Sequence, residues 1–271
     1  QMPTPALLKR DWQKQHVYLI QYPRCKTIPN LSPWSLKLET WLRVMEIPYT
    51  NISNELKKFS AKGQVPFVEL NGRQIADSHI IIETLKQEFA KSGVDSSDAL
   101  EVAKARALTA LTDEHMTMAV MSINAHGFDF LLTDDGWGRY FGTGLKRKFK
   151  IFMIKKKLGK IVAQRTYAQG MGRHYPGELI NIIKEDLTAI STFLGDKKYF
   201  GGERPNTLDC TVFGHIAGFL YIPAPDDILT KYLKESTPNL AALLERMKEE
   251  YWPDWEETCL SMNMNTHQNK N

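Results

Sequence analysis

Ser32 and Ser35 stand three residues apart in SPWS, at the head of the segment LSPWSLKLETWLRVMEIP (31–48), and both are hydroxyls set where a helix begins. A serine in the first of those places can accept a hydrogen bond from a backbone N–H of the opening turn and still has one hydrogen to donate. Aimed at the sulfur of a bound thiol, with the helix N-terminus behind it, that hydrogen favours the thiolate. Two readings of Ser32 stand on this ground, a cap alone and a cap that also holds a sulfur. Asp77 and Ser78 open a second helix pattern in the same manner. His115, Met116, Met118, Met121 and His126 fall along one helical run expected to face a cleft. Methionines adapt to varied apolar ligands, and ordinary core packing accounts for the same residues. The two histidines lack companions at metal-ligand spacing, so no metal is expected.

These residues need elements to place them. HVYLIQYP (16–23) is short, apolar and closed by a proline, the pattern of a buried strand. After it, Ser32 suits the N-cap and Pro33 the first helical position, with Leu31 and Leu36 as the two ends of a hydrophobic staple. Leu38, Trp41, Leu42 and Met45 continue an apolar stripe until Pro48 stops the helix near Ile47. A second strand is expected near 49–52. PFVEL, NGR and QIA then read as a hairpin turning on Asn-Gly. DSHIIIETLKQEF (77–89) reads as a capped helix with Ile81, Leu85 and Phe89 at a spacing of four. KSGVDSSDA (91–99) is a linker pattern. Beyond it the patterns are helical, over 99–126, the basic stretch 145–160, 176–194, 206–220 and 238–251, with a polar tail, SMNMNTHQNKN, expected to fray. The expected organisation is a small mixed α/β domain over 15–90 followed by an all-helical domain over 99–256.

A chain of 271 residues that is 42% hydrophobic and 24% charged has room for one or two globular domains and is not a disordered polymer. Its net charge is +4, yet the segment 145–160 alone holds eight Lys/Arg and no acid, which leaves the remainder at about −4. Leu145, Phe149, Phe152, Ile154 and Leu158 are interleaved with those cations. That composition suits an anionic membrane surface, and an ordinary amphipathic helix with its lysines outward and its apolar side inward fits it equally. Nucleic acid is not an expected partner, since neither a motif nor an aromatic stacking platform supports it. Cys25, Cys210 and Cys259 are far apart and odd in number, which points away from a disulfide framework and toward a reducing, cytoplasmic setting. No apolar run approaches the roughly 18 residues of a membrane span. Gln1 precedes Met2, which leaves room for an upstream anchor.

GQVPFVELNGRQIADSHII (63–81) and KKYFGGERPNTLDCTVFGHIAGF (197–219) resemble the glutathione transferase superfamily, in which a thioredoxin-like domain with a mixed four-stranded sheet precedes a helical domain. SPWSLKLETWLR, TLDCTVFGHIA and EYWPDW together look like its failed axon connections group, relatives of the metaxins, and the match spans most of 17–255. The resemblance implies a cis Val65–Pro66 bond, a Val65 backbone that pairs with the cysteinyl part of glutathione, and an Asp77-Ser78 pair that receives its γ-glutamyl end. Gln64 and Pro66 complete that set. Asn206 stands where the family usually has Ser or Thr, with Asp209 three residues on, and the reciprocal capping bonds are expected to survive the change.

Holding the thiol of glutathione as thiolate means lowering a pKa of about 8.5, at about 1.4 kcal/mol per unit. Ser32 is the expected donor, and Tyr22, at the end of the first strand, is its rival. SPWS stands in place of the C-P-x-C motif of glutaredoxin-like relatives, with both cysteines replaced, so dithiol exchange is not expected there. Lys57 and Lys58 are candidates for the glycine carboxylate, or plain solvated lysines. The implied chemistry is attack of the thiolate, with glutathione as substrate, on an apolar electrophile lodged near His115 and Met118. The alternative is a non-catalytic interaction protein on the same scaffold, at a membrane surface or in axon development. A homodimer is expected in either case.

Overall fold

The computed structural model describes residues 6–124, 130–223 and 226–270. Its first half is a four-stranded sheet in the order β2-β1-β3-β4. β1 (Val17–Gln21) is buried at every position, as a strand with neighbours on both edges must be. It runs parallel to β2 (Tyr49–Ser53), with Val17 opposite Tyr49, and antiparallel to β3 (Phe67–Leu70), with Ile20 opposite Phe67. The hairpin from β3 to β4 (Arg73–Ala76) turns on Asn71 and Gly72. Both adopt positive φ, 50° and 75°, the left-handed pair that such a two-residue turn demands.

Parallel neighbours need a crossover, and α1 (Pro33–Val44) supplies it between β1 and β2. α2 (Ser78–Glu88) follows β4 and packs beside α1. The helical half comprises α3 (Ala99–Ala110), α4 (Thr117–Asn124), α5 (Gly144–Gln169), α6 (Pro176–Leu194), α7 (Thr207–Ile216), α8 (Gly218–Tyr221), α9 (Ile228–Glu235), α10 (Pro238–Tyr251) and α11 (Trp255–Ser261). α7 runs through the middle of this half and is buried from Leu208 to Ile216. Its start keeps the expected reciprocal cap. The Asn206 side chain accepts from the Leu208 and Asp209 N–H groups, and Asp209 accepts from the N–H groups of Asn206, Phe200 and Gly201.

Several elements depart from the sequence pattern. The single helix expected over 99–126 is α3 and α4 joined by a π turn, Leu111–Met116, and the pattern's last two residues lie outside the described ones. The helix expected over 206–220 breaks at Ala217 into α7 and α8. The basic helix is longer than the basic stretch, and α9 and α11, whose N-cap residues Asp227 and Asp254 make no side-chain capping bond, are additional to the expected helices. Over its described residues the polar tail is held against the sheet rather than frayed. Met264 offers its carbonyl to Arg24 and Asn51, Asn265 exchanges two hydrogen bonds with the backbone of Asn51, and His267 stacks on Tyr49 at 4.1 Å. The tail thereby satisfies the outer edge of β2, where a strand would otherwise leave N–H and C=O groups open.

Candidate functional site

The sheet register brings the candidate residues to one end. Phe67 faces Ile20 on one side and Ala76 on the other, so the C-terminal end of β1, the Val65–Pro66 step before β3 and the Asp77-Ser78 start of α2 share that end. The segment from β1 to Ser32 leaves from the same place. Val65–Pro66 is cis, as the resemblance implied. No group among the described residues takes the backbone N–H or C=O of Val65. Gln64 beside it is exposed and ties its backbone to Ser60.

Ser32 is the N-cap of α1, in extended conformation, with Pro33 at the first helical position. Its Oγ accepts from the N–H of Ser35 at 3.4 Å, a long bond, and its own N–H donates to Asn30 Oδ1 at 2.9 Å. The hydroxyl hydrogen has no acceptor among the described residues. Ser32 is only 7% exposed, however. The buried Ser35 Oγ has no hydrogen-bond partner among the described residues. Asp77 caps α2 by accepting from His79 and Ile80. It does so at φ 91°, a strained angle for a residue with a Cβ, and such strain gathers at ligand sites. Ser78 behind it is buried.

Tyr22 is packed rather than presented. Its ring lies 4.3 Å from that of Trp137, and burial pushes its hydroxyl pKa up. Trp137 Nε1 donates to the Pro23 carbonyl, and Lys26 pairs with Asp135 through both backbone and side chain. The 130–142 segment, with its short turns at Phe130–Leu132 and Gly138–Phe141, thus sits over the loop leading to Ser32. Trp137 and Asp135 went unread in the sequence, since a tryptophan within a Gly/Asp-rich stretch has no periodic signal. Trp34 and Arg165 were missed as well. The Arg165 guanidinium lies 5.9 Å from the Trp34 ring, so the C-terminal part of α5 approaches the start of α1.

Comparison with known proteins agrees with this architecture. The sequence model described as Glutathione S-transferase N-terminal domain matches residues 33–127, and that of the Glutathione S-transferase, C-terminal domain matches 183–247. Failed axon connections of Drosophila melanogaster is 34% identical over 96% of this chain. The chain belongs to the glutathione transferase superfamily. It falls in the failed axon connections and metaxin-like group, and it spans 63% of the length of the Drosophila relative. Isoprene-epoxide–glutathione S-transferase of Rhodococcus sp. (strain AD45) is 26% identical, covering 83% of this chain and 94% of that protein. Metaxin-2 of Mus musculus is 22% identical over 84% and 85%. Among solved structures, Beta-etherase LigF from Sphingobium sp. strain SYK-6 superposes with a TM-score of 0.62 at 18% identity, over 91% of this chain and 99% of that one. Rice GST1 in complex with glutathione gives 0.55 at 14% identity, over 88% and 90%.

On this glutathione transferase fold, two buried ionic clusters hold α1 in place. In the first, Glu39 receives both arms of Arg24 at 2.6 Å, and Gln21, Asn51 and Tyr49 donate to it as well. Arg43, one turn on, makes a two-pronged pair with Asp254 and lies 3.7 Å over the Trp252 ring. Burial alone would push the Glu39 carboxyl up, but Arg24 and then Arg43 outweigh it and hold it at about 2. Arg43 likewise overcomes burial to keep Asp254 far below the usual range.

The second cluster joins the two halves. Lys37 Nζ donates to Asp113 Oδ2 at 2.7 Å, and the π turn is what aims Asp113 at α1. His215 Nδ1 donates to the Thr211 carbonyl, which leaves Nε2 facing Asp113 Oδ1 at 3.2 Å without a hydrogen bond. Burial, outweighing the attraction of Asp113 and aided by Lys37, holds the imidazole neutral down to about pH 4. Between pH 6.5 and 4 the unfolded histidine takes up a proton that the folded one refuses, so stability is expected to fall by about 3 kcal/mol across that window. Urea midpoints measured over this range check it, and His215→Gln is expected to flatten the slope.

His115 turns the other way. Its Nδ1 meets Asp186 Oδ2 of α6 at 2.8 Å, while Met116 and Met118 lie in the core and Met121 is half-buried against it. His126 lies outside the described residues. Lys57 and Lys58 are engaged with Glu55 at the surface, at 3.0 and 2.6 Å. The described residues include no group of three or more His, Cys, Asp or Glu side chains able to hold a metal ion, and no helix among them is long and apolar enough to cross a membrane.

Proposed function

We propose that the chain binds glutathione at the shared end of the sheet. The Val65 backbone would pair with its cysteinyl part, Asp77 and Ser78 would receive its γ-glutamyl end with Gln64 and Pro66 alongside, and Ser32 would donate to its sulfur. The observation that carries this reading is the backbone of Val65, without a hydrogen-bond partner among the described residues, at the sheet end from which the capped start of α1 also leaves. An open backbone N–H and C=O are what a peptide ligand pairs with. The thiolate would then attack an apolar electrophile lying toward the π turn and α4, the elements that carry His115 and Met118. The glutathione named in the descriptions of several relatives and neighbours supports the ligand.

Titration calorimetry with millimolar glutathione tests binding, and a conjugation assay tests turnover. Ser32→Ala is expected to lower conjugation by about ten- to a hundredfold, as loss of one donor to a developing anion does. It is expected to cost no more than about 1 kcal/mol of folding stability, since the capping bond is already long. A loss of both in proportion would leave Ser32 a cap alone. Absence of heat would remove the catalytic reading and favour the second one, a non-catalytic interaction protein, which the near-burial of Ser32 and the packing of Tyr22 already support. Either reading includes a homodimer. α3 has no buried residue and exposes Leu100 and Val102, with Ile80 of α2 also exposed, and light scattering is expected to give twice the 31.1 kDa chain mass.

A further inference from the structure

The basic helix carries more apolar side chains than its packing against the body uses. α5 is 26 residues, about 39 Å long, and its buried residues are Val162 and Thr166, both in its second half. Two rows of side chains run along it. Ile151, Ile154, Leu158, Val162 and Thr166, at spacings of three and four, face the body and become more buried toward the C-terminus. Leu145, Phe149 and Phe152, also at four and three, lie on roughly the opposite side and are 87%, 66% and 61% exposed, with Met153 beside them. Lysines flank that outward row. Lys146, Lys150 and Lys157 stand on one side, Lys148 on the other, and Lys156 and Lys160 continue it. Every one of these lysines is exposed, and α5 contains no acid. Arg147 is committed to Asp134.

We propose that the first half of α5 lies flat on an anionic lipid bilayer, with Leu145, Phe149, Phe152 and Met153 in the headgroup–acyl boundary and the flanking lysines on anionic headgroups. Charge complementarity singles out this occupant. A row of apolar side chains with Lys146, Lys150 and Lys157 along one border and Lys148 on the other needs a partner that is apolar at its centre and negative beside it, and an anionic interface has that profile at a single depth. The remainder of the chain, at about −4, is repelled from such a surface, which orients the molecule with α5 toward it. The proposal is independent of glutathione binding.

The test is sedimentation of the full chain with vesicles of phosphatidylcholine alone and of phosphatidylcholine with phosphatidylserine. Binding is expected to the second and not the first, and to weaken by about tenfold or more between low and high salt. Phe149→Ser with Phe152→Ser, both at exposed positions, is expected to reduce binding by about tenfold with an unchanged melting curve. Lys156→Glu with Lys160→Glu is expected to do the same. Failure to sediment with the anionic vesicles at low salt overturns the proposal. So does binding that survives the double phenylalanine change, or equally tight binding to a soluble polyanion such as polyglutamate, since either would mean charge attraction without insertion.

Discussion

Glu39→Ala is expected to lower folding stability by about 3–5 kcal/mol, read as a large drop in urea midpoint, because it leaves Arg24 and Arg43 as charges without water or a full set of partners. Arg24 is wholly buried and directs both arms at Glu39, with the Met264 carbonyl as a further acceptor. Glu39→Gln, of the same size but uncharged, is expected to lose most of that amount. Arg24→Leu combined with Glu39→Leu is expected to cost less than either single change, since it removes both charges together. Acid adds a second signature. With its folded pKa held at about 2 against an ordinary 4.5, Glu39 contributes stability above pH 4.5 that is lost as pH falls toward 2. That acid limb should be missing from the Gln variant.

Gly214→Ala is expected to have the next largest effect, about 3 kcal/mol or more. A Cβ at Gly214 would lie 2.5 Å from the Lys37 nitrogen and 2.7 Å from its Cα and Cβ. The obstacle is mostly backbone in the middle of a helix, so it cannot swing aside, and α1 and α7 would have to part. Parting them also lengthens the Lys37–Asp113 pair and disturbs the turn that Ser32 caps. Gly177→Ala is the control. Nothing lies within 4 Å of a Cβ there, and the change is expected to be neutral or to raise the melting temperature slightly. Similar melting curves for the two variants would mean that the α1–α7 contact is looser than its geometry implies.

Legibility in the sequence tracked how local each cause is. α6 and α10 begin and end where their patterns do, because a proline at the first helical position announces the start within one residue. The Asn-Gly turn and the caps at Ser32, Asp77 and Asn206 are likewise written in three or four neighbouring letters. The π turn at Leu111–Met116 is not, since it answers to Lys37, far away along the chain. Nor is the orientation of α5. Its periodicity contains two apolar rows, and only the packing of Val162 and Thr166 tells which one meets the body. The tail differs from its pattern for the same reason: Asn265 and Thr266 look solvent-loving until Asn51 and Asp254 are seen to need them, and Arg24 takes the Met264 carbonyl beside them. At the candidate site, residue types marked the helix starts, but the cover formed by Trp137 and Asp135 depended on a tertiary meeting that no short motif encodes.

The bond between Arg24 and the Met264 carbonyl joins positions 240 residues apart. During synthesis, then, the sheet leaves the ribosome with its buried Arg24–Glu39 pair still unsealed, and 240 residues separate Arg24 from the carbonyl that closes it. Until that segment arrives, the outer edge of β2 lacks the hydrogen bonds that Asn265 gives it and is open to any passing strand.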